Sequence, residues 1–280
     1  MKLLKPAVLS VLFVALLLPG VVSASLLNDP DRPCQVRVCA EQGFVGVLSH
    51  RIQLGQTGTM FDYVAEGGQN NLLRFRRLSA ELGIGGRHTL ILLFQPLDLR
   101  TQALLSEDLV VDSLVFPSGT AMNLRYGFDF YRVSYLYDFL SRPDRELAIG
   151  ASFQIRNATI SFASQDGSLF RTAEDIGPVP VIKIRARWPV GERSWVGTEI
   201  DGFYATDRIL NGASYKFEGS ILDASVRYGL ELGESVTAFV NWRFLGGGAK
   251  GQGSDPPGPG DGYTDNALAT TSVTVGFYLR

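Results

Sequence analysis

Apolar and polar residues alternate along most of the chain with the two-residue period of a β-strand. Between residues 146 and 162, Leu147, Ile149 and Phe153 share one face, whereas Ser152 and Gln154 share the other. Runs of this kind, roughly 10 to 18 residues long, are separated by turn residues, and helical periodicity is almost absent. The pattern therefore predicts an all-β fold.

The alternating runs predict ten strands. Their predicted ranges are 43–55, 71–84, 88–100, 121–140, 146–162, 178–189, 194–207, 214–232, 236–248 and 267–280. Residues Leu109 to Phe116 could add one more pair, so twelve strands is the second choice. Either count is even, as expected for bacterial membrane barrels.

Strand length and loop length distinguish a membrane barrel from a soluble one. Soluble strands average about five or six residues, whereas several runs here are long enough for a tilted membrane strand. Short and long connections also alternate along the chain. The short ones lie near 85–86, 141–145, 190–194 and 232–235, and the long ones near 56–70, 101–120, 163–177 and 246–266. This asymmetry is typical of a single antiparallel transmembrane β-barrel, with a soluble periplasmic β-protein as the alternative.

The N-terminus has the features of a secretory signal peptide. Lys2 and Lys5 precede an apolar run over 7–18, and Val22-Ser23-Ala24 supplies the small residues of a cleavage site. The run is too short to span a bilayer as a helix. We therefore expect a signal peptide over 1–24, an N-terminal periplasmic segment over 25–42 and the barrel over 43–280.

Cys34 and Cys39 are the only cysteines. Because an exported chain meets an oxidising compartment, a local disulfide between them is expected. The segment lacks the further ligands of a metal site, so no metal is expected.

The last strand, Thr271 to Arg280, places Val273, Val275, Phe277 and Leu279 on one face and Ser272, Thr274 and Gly276 on the other. It resembles the C-terminal assembly signal of bacterial outer-membrane β-barrel proteins, although such chains commonly end on an aromatic residue. The resemblance implies a Gram-negative outer-membrane location, contact with outer-membrane lipid, and recognition of the last strand by the barrel-assembly machinery. Six further aromatic residues resemble the interfacial girdles of that class: Tyr126, Phe128, Phe130, Tyr135, Tyr137 and Phe139.

Charged residues in the middle of strands form the one candidate site. If the 190–194 turn keeps its natural register, Arg185 faces Glu199 and Lys183 faces Asp201. The predicted lumen network comprises Arg125, Asp129, Arg156, Lys183, Arg185, Arg187, Glu199, Asp201, Asp223, Arg227, Asn241 and Arg243. Such a network could bind or conduct a charged solute, or it could fill a small barrel with paired side chains, since buried charges need partners.

Catalysis is not expected, and neither a catalytic residue nor a cofactor is assigned. The chain has two histidines. His50 shares its parity with Phe44 and Leu48, which directs it toward lipid or a rim, and His88 abuts a short turn. Neither has an evident serine and carboxylate partner. The formal net charge of −2 gives no reason to expect a nucleic-acid partner.

The leading functional prediction is a non-enzymatic barrel with a structural, envelope or surface-recognition role. One alternative is a narrow, porin-like channel for small charged solutes, lined by Arg185, Arg187, Arg227 and Arg243. Another is a surface enzyme that modifies lipids or peptides. The glycine- and proline-rich 246–266 stretch is predicted to be a flexible surface loop.

Overall fold

The computed structural model describes residues 33–206, 217–252 and 260–280, without the side chains of residues 156, 175, 176 and 217. The predicted signal peptide lies outside the described residues. No helix in the described ranges is long and apolar enough to cross a membrane.

Ten antiparallel strands form the wall of a closed barrel, as predicted. They are β1 (Cys34–Leu54), β2 (Leu73–Ile84), β3 (His88–Leu104), β4 (Ala121–Asp138), β5 (Glu146–Ser164), β6 (Phe170–Pro189), β7 (Ser194–Thr206), β8 (Phe217–Glu231), β9 (Val236–Gln252) and β10 (Tyr263–Leu279). Each strand pairs with the next, and β10 pairs with β1 to close the wall.

The extra strand pair considered for 109–116 forms, but it does not enter the wall. Leu109–Val111 and Leu114–Phe116 make a separate two-stranded hairpin inside the β3–β4 connection. A two-residue strand, Phe61–Asp62, pairs with the end of β1. The wall therefore has ten strands, and the choice of twelve is wrong.

The first strand begins earlier than predicted, at Cys34, so residues 34–42 belong to the wall. This placement contradicts the predicted disulfide, because both cysteines are free. Five residues apart on one extended strand, their Cα atoms are separated by about 16 Å, far beyond disulfide reach. They also occupy opposite faces, Cys34 exposed and Cys39 buried.

The predicted long loop over 163–177 is also shorter in the structure. β5 continues to Ser164 and β6 begins at Phe170, which leaves only residues 165–169 between them. The four connections at the opposite rim follow Ile84, Asp138, Pro189 and Glu231. We call that rim, which also holds the start of β1 and the end of β10, the short-turn end, and the other the long-loop end.

The outer wall is apolar over the half nearer the short-turn end. On β5 the exposed face runs from Leu147 to Ile155, about the nine residues that a tilted strand needs to cross a bilayer. Neighbouring strands continue the same belt with Leu90, Leu92, Val133, Tyr135, Ile182, Ile184, Val226, Tyr228, Val240, Val273, Val275 and Phe277. We call this surface the apolar belt, and its composition is that of a lipid-facing wall.

Above the belt the pattern inverts. The outer face becomes polar, with Arg74, Arg76, Arg100 and Asn123 exposed. The interior becomes an apolar core, here called the apolar layer, made of Val45, Ile52, Leu54, Phe61, Tyr63, Phe75, Leu97, Leu99, Leu105, Leu109, Val111, Phe116, Met122, Leu124, Tyr126, Phe128, Phe130, Ala158, Ile160, Phe162 and Leu245. Apolar side chains turn inward where the outer wall faces water, because burial then stabilises the fold.

This inversion divides the six aromatic residues predicted as girdle residues. Tyr135 and Phe139 are exposed on the outer wall, and Tyr137 lies on the same face. Tyr126, Phe128 and Phe130 are buried in the apolar layer instead, so their assignment to a girdle is wrong.

Two seams interrupt the ladder of the wall above the belt. The described pairing between β2 and β3 stops at Leu78 and Phe94, and that between β6 and β7 stops at Ile182 and Gly202. Pro96 follows the first stop by two residues, and Pro178 and Pro180 lie just beyond the second. Proline has no N–H to donate to a ladder, so it is suited to such free edges.

Candidate functional site

The interior of the belt region is filled by charged side chains. Eight cationic and six anionic side chains of the described chain are buried there, and we call this set the ionic layer: Arg37, Arg77, Arg132, Lys183, Arg185, Arg187, Arg227 and Arg243 with Glu41, Glu81, Glu146, Glu199, Asp201 and Asp223. Alternation along each strand directs them inward, opposite the apolar belt.

Glu199 on β7 lies at the centre of the ionic layer. Its carboxylate is 2.8 Å from Arg77 and 3.0 Å from Lys183, and it is 3.6 Å and 3.8 Å from Arg227 and Arg243. Four cations thus share one buried anion, which ties β2, β6, β8 and β9 together across the lumen.

Glu41 on β1 forms a second hub. It accepts hydrogen bonds from Asn241 at 2.7 Å and Thr274 at 3.0 Å. It also pairs with Arg77 and Arg227, each at 3.1 Å. Both carboxylate oxygens of Glu41 therefore have partners within the protein.

Arg132 on β4 joins the opposite side of the layer. It lies 3.0 Å from Asp201 and 3.3 Å from Asp223, and it donates to Gln154. Asp223 also accepts a hydrogen bond from Arg243. The layer is thus a connected network in which each charged group has at least one ion partner, as buried charges require.

The structure places nine of the twelve predicted network residues in this layer or bonded to it: Lys183, Arg185, Arg187, Glu199, Asp201, Asp223, Arg227, Asn241 and Arg243. Lys183 lies 2.8 Å from Asp201, the partner expected from the register. Arg185 is opposite Glu199 in the ladder, but its ion partners are Glu81 at 3.0 Å and Glu146 at 2.8 Å.

Two of the predicted lumen residues are on the wrong face. Arg125 bonds Asp98 at 2.8 Å on the outer wall above the belt, and Asp129 shares its parity. The prediction treated the polar face as the lumen face along the whole strand. On β4, however, the inward face changes from polar to apolar between Arg132 and Phe130. The side chain of Arg156 lies outside the described part of the chain.

Sequence reasoning missed Arg37, Glu41, Arg77, Glu81, Arg132 and Glu146. The signal was present, since Arg77, Ser79 and Glu81 alternate with apolar Leu78, Ala80 and Leu82. Arg37 and Glu41 were missed because their segment was expected to precede the barrel.

His50 is buried in the apolar layer, which corrects its predicted lipid or rim position. A register irregularity between Val47 and Ser49 shifts the alternation of β1 by one residue, and such a bulge moves every later side chain to the other face. The His50 ring stacks on Tyr63 with centroids 4.3 Å apart and meets the edge of Tyr126.

His50 and Gln69 form a polar pair inside the apolar layer. Its Nδ1 is 2.7 Å from Oε1 of Gln69, so the neutral ring donates from Nδ1 and leaves Nε2 as an acceptor. Nε2 is buried and has no hydrogen-bond partner in the part of the chain that the structure describes. His50 lies beyond the belt, and burial lowers its pKa to about 4. Among the described residues, the hydrogen-bond partner of the ring is the amide of Gln69.

The loops at the long-loop end cover the apolar layer. The 109–116 hairpin is held by backbone bonds from Asp112 to Leu54 at 2.8 Å and from Thr59 to Val110 at 2.8 Å. Asp112 also pairs with Arg171 at 2.5 Å. The hairpin is therefore fixed over the apolar layer, and we call it the cap.

At the short-turn end the ionic layer leaves a cavity of about 30 Å³. Its lining includes Arg37, Arg187, Arg227, Trp195 and Tyr278. A cavity of this size holds about two water molecules. In the described part of the chain, no group of three or more His, Cys, Asp or Glu side chains is arranged to hold a metal ion.

No family model matches the chain, and no curated protein matches it. Among solved structures it is similar to the outer-membrane protease OmpT from Escherichia coli, with 10% identity, a TM-score of 0.48, and 93% of this chain and 99% of that one covered. It is also similar to the transport unit of the autotransporter AIDA-I from Escherichia coli, with 10% identity, a TM-score of 0.41, and 99% and 97% covered. A Pseudomonas aeruginosa FadL homologue shows 8% identity and a TM-score of 0.37, with 91% and 94% covered.

The molecule's own architecture is what assigns its class. It has a closed wall of ten antiparallel strands, an apolar outer belt and short turns at one rim. These are the features of the bacterial outer-membrane β-barrels that the last strand resembles.

Proposed function

We propose that the protein is a closed outer-membrane barrel that serves as a structural element of the envelope and carries a rigid platform above the outer leaflet. The short-turn end would face the periplasm and the long-loop end the cell exterior, as is general for such barrels. The barrel would neither conduct solutes nor catalyse a reaction.

The observation that carries this proposal is an interior filled at two successive levels. The ionic layer occupies the lumen inside the belt, and the apolar layer with its 109–116 cap occupies the lumen above it. A channel for charged solutes would have to break paired charges at the first level and cross apolar packing at the second, both of which are costly.

The length of the strands supports the platform. β3, β4, β5, β6 and β9 each have between 17 and 20 residues, whereas about 9 to 11 suffice to cross a bilayer. The remainder forms a soluble-type core that holds the long-loop end rigid. Its polar outer wall offers a surface for recognition.

Conductance in planar bilayers tests the closed barrel. The wild-type protein and a variant in which residues 106–118 are replaced by a short glycine–serine linker are compared. We expect no conductance steps from either, because the ionic layer stays in place when the cap is removed. Steps from the wild-type protein would favour the channel, and steps from the variant alone would show that the cap is the only barrier.

The envelope role needs a cellular test. A strain lacking the gene should become more sensitive to a bulky hydrophobic antibiotic, and the wild-type chain should restore resistance. The variant lacking the cap should restore it as well if the role is structural. Failure of that variant alone would assign the function to the long-loop surface.

A further inference from the structure

The cavity at the short-turn end is lined by more cations than anions. Four of its lining residues are arginines, Arg37, Arg185, Arg187 and Arg227, and two are glutamates, Glu81 and Glu146. Both glutamates are already engaged: Glu81 pairs with Arg37 at 2.7 Å and with Arg185 at 3.0 Å, and Glu146 pairs with Arg185 at 2.8 Å.

Arg187 has the weakest compensation of the four arginines. Its ion contact is with Glu231 at 3.5 Å, and 41% of the Glu231 side chain is exposed, so that pair is screened by water. Arg37 is close enough to repel both Arg187 and Arg280. The Arg187 side chain is nevertheless only 11% exposed, so this charge is largely buried although its ion partner is not.

Two donors at the cavity are buried and unsatisfied. Within the described ranges, the Nε–H groups of Arg187 and Arg227 have no hydrogen-bond acceptor. The guanidinium carbon of Arg187 lies 4.1 Å from the ring centroid of Trp195. Stacking on that face fixes the plane of the guanidinium, and a fixed planar guanidinium is suited to bind an oxyanion with two parallel hydrogen bonds.

We propose that this cavity is a binding site for one oxyanion group, a phosphate or a carboxylate, that enters from the short-turn end. Its volume of about 30 Å³ admits roughly two water-sized atoms, which suits the two oxygens presented by the edge of either group. The proposal goes beyond a closed structural barrel. It depends on that function only for the conclusion that the anion comes from the periplasm.

Isothermal titration of the refolded, full mature chain with sodium phosphate, and separately with sodium acetate, tests the site at constant chloride. We expect saturable binding of one anion per chain. Arg187→Gln should weaken that binding by at least about tenfold, since it removes a charge-assisted hydrogen bond. Arg193→Gln, at an exposed position of the neighbouring turn, is the matched control and should change the affinity less than about twofold.

The comparison of ligands and variants decides the outcome. Tighter binding of phosphate than acetate assigns the site to phosphate, and the reverse assigns it to carboxylates. No saturable binding of either anion by the wild-type protein, or equal weakening in both variants, would overturn the proposal. If Arg187→Gln does not refold, Arg187→Lys keeps the charge but loses the planar fork, and undiminished binding by it would count against the fork geometry. A null conductance result together with anion binding would leave both proposals standing, whereas each can fail without the other.

Discussion

Replacing Glu199 by glutamine tests whether the ionic layer is dry. The carboxylate lies between 2.8 and 3.8 Å from four buried cations, and its side chain is only 5% exposed. Removing one partner from a buried ion pair costs about 3–5 kcal/mol, because the remaining charge stays buried without compensation. We therefore expect Glu199→Gln to lower the free energy of unfolding by about 3–5 kcal/mol.

An exposed ion pair supplies the matched control. Lys250 and Asp265 are 2.6 Å apart on the outer wall, and the lysine side chain is 59% exposed. Asp265→Asn should cost less than about 1 kcal/mol, as is usual for surface pairs. Both variants are unfolded with urea in lipid vesicles, and the folded fraction is read from the gel mobility of unboiled samples.

A double variant separates charge from packing. If the loss in Glu199→Gln comes from unbalanced positive charge, adding Lys183→Met should recover part of it, because it removes one of the four cations around position 199 while Asp201 keeps its pair with Arg132. A loss below about 1 kcal/mol in Glu199→Gln would refute the reasoning. It would mean that water screens the layer and that the lumen is open enough to hydrate it.

Three further outcomes are expected. Burial lowers the pKa of His50 to about 4 from an ordinary value of 6.5. As the pH falls, the unfolded chain therefore binds a proton on His50 before the folded chain does. The free energy of unfolding should decrease between about pH 6.5 and pH 4, by roughly 3 kcal/mol in total. Unfolding midpoints of the wild type and of His50→Gln across that range check this, and an equal slope in the variant would contradict it. Hydrogen exchange should be faster over 73–77 than over 78–84, because only the latter pairs with β3; equal protection would mean that the seam is closed. Alkylation of the denatured, unreduced chain should label both Cys34 and Cys39. If neither cysteine were labelled, the two would be joined in a disulfide and the structure would be contradicted.

The number of strands and the charged interior of the belt could be predicted from period-two alternation. The Lys183–Asp201 contact followed from the short 190–194 turn, since a tight turn fixes the register of its two strands. Each of these inferences is local and needs only the chain on either side of a turn.

The inversion above the belt could not be predicted from alternation. Period two gives the two faces of a strand but not which face is in lipid, in water or in the lumen. Arg125 was therefore placed inside and Phe128 outside, the reverse of the structure. The bulge that turns His50 inward is equally invisible, because it depends on how β1 pairs with β10.

The boundary between the apolar belt and the water-facing wall is the central feature of this account, and spin labels along β5 measure it most directly. In a cysteine-free background, single labels are placed at Ile149, Phe153, Thr159 and Ser161, all on the outer face, and the protein is studied in lipid vesicles. We predict that labels at Ile149 and Phe153 collide with dissolved oxygen, whereas labels at Thr159 and Ser161 collide with a water-soluble nickel complex. If all four labels were reached by the nickel complex, the belt would not lie in lipid and the membrane assignment would be wrong.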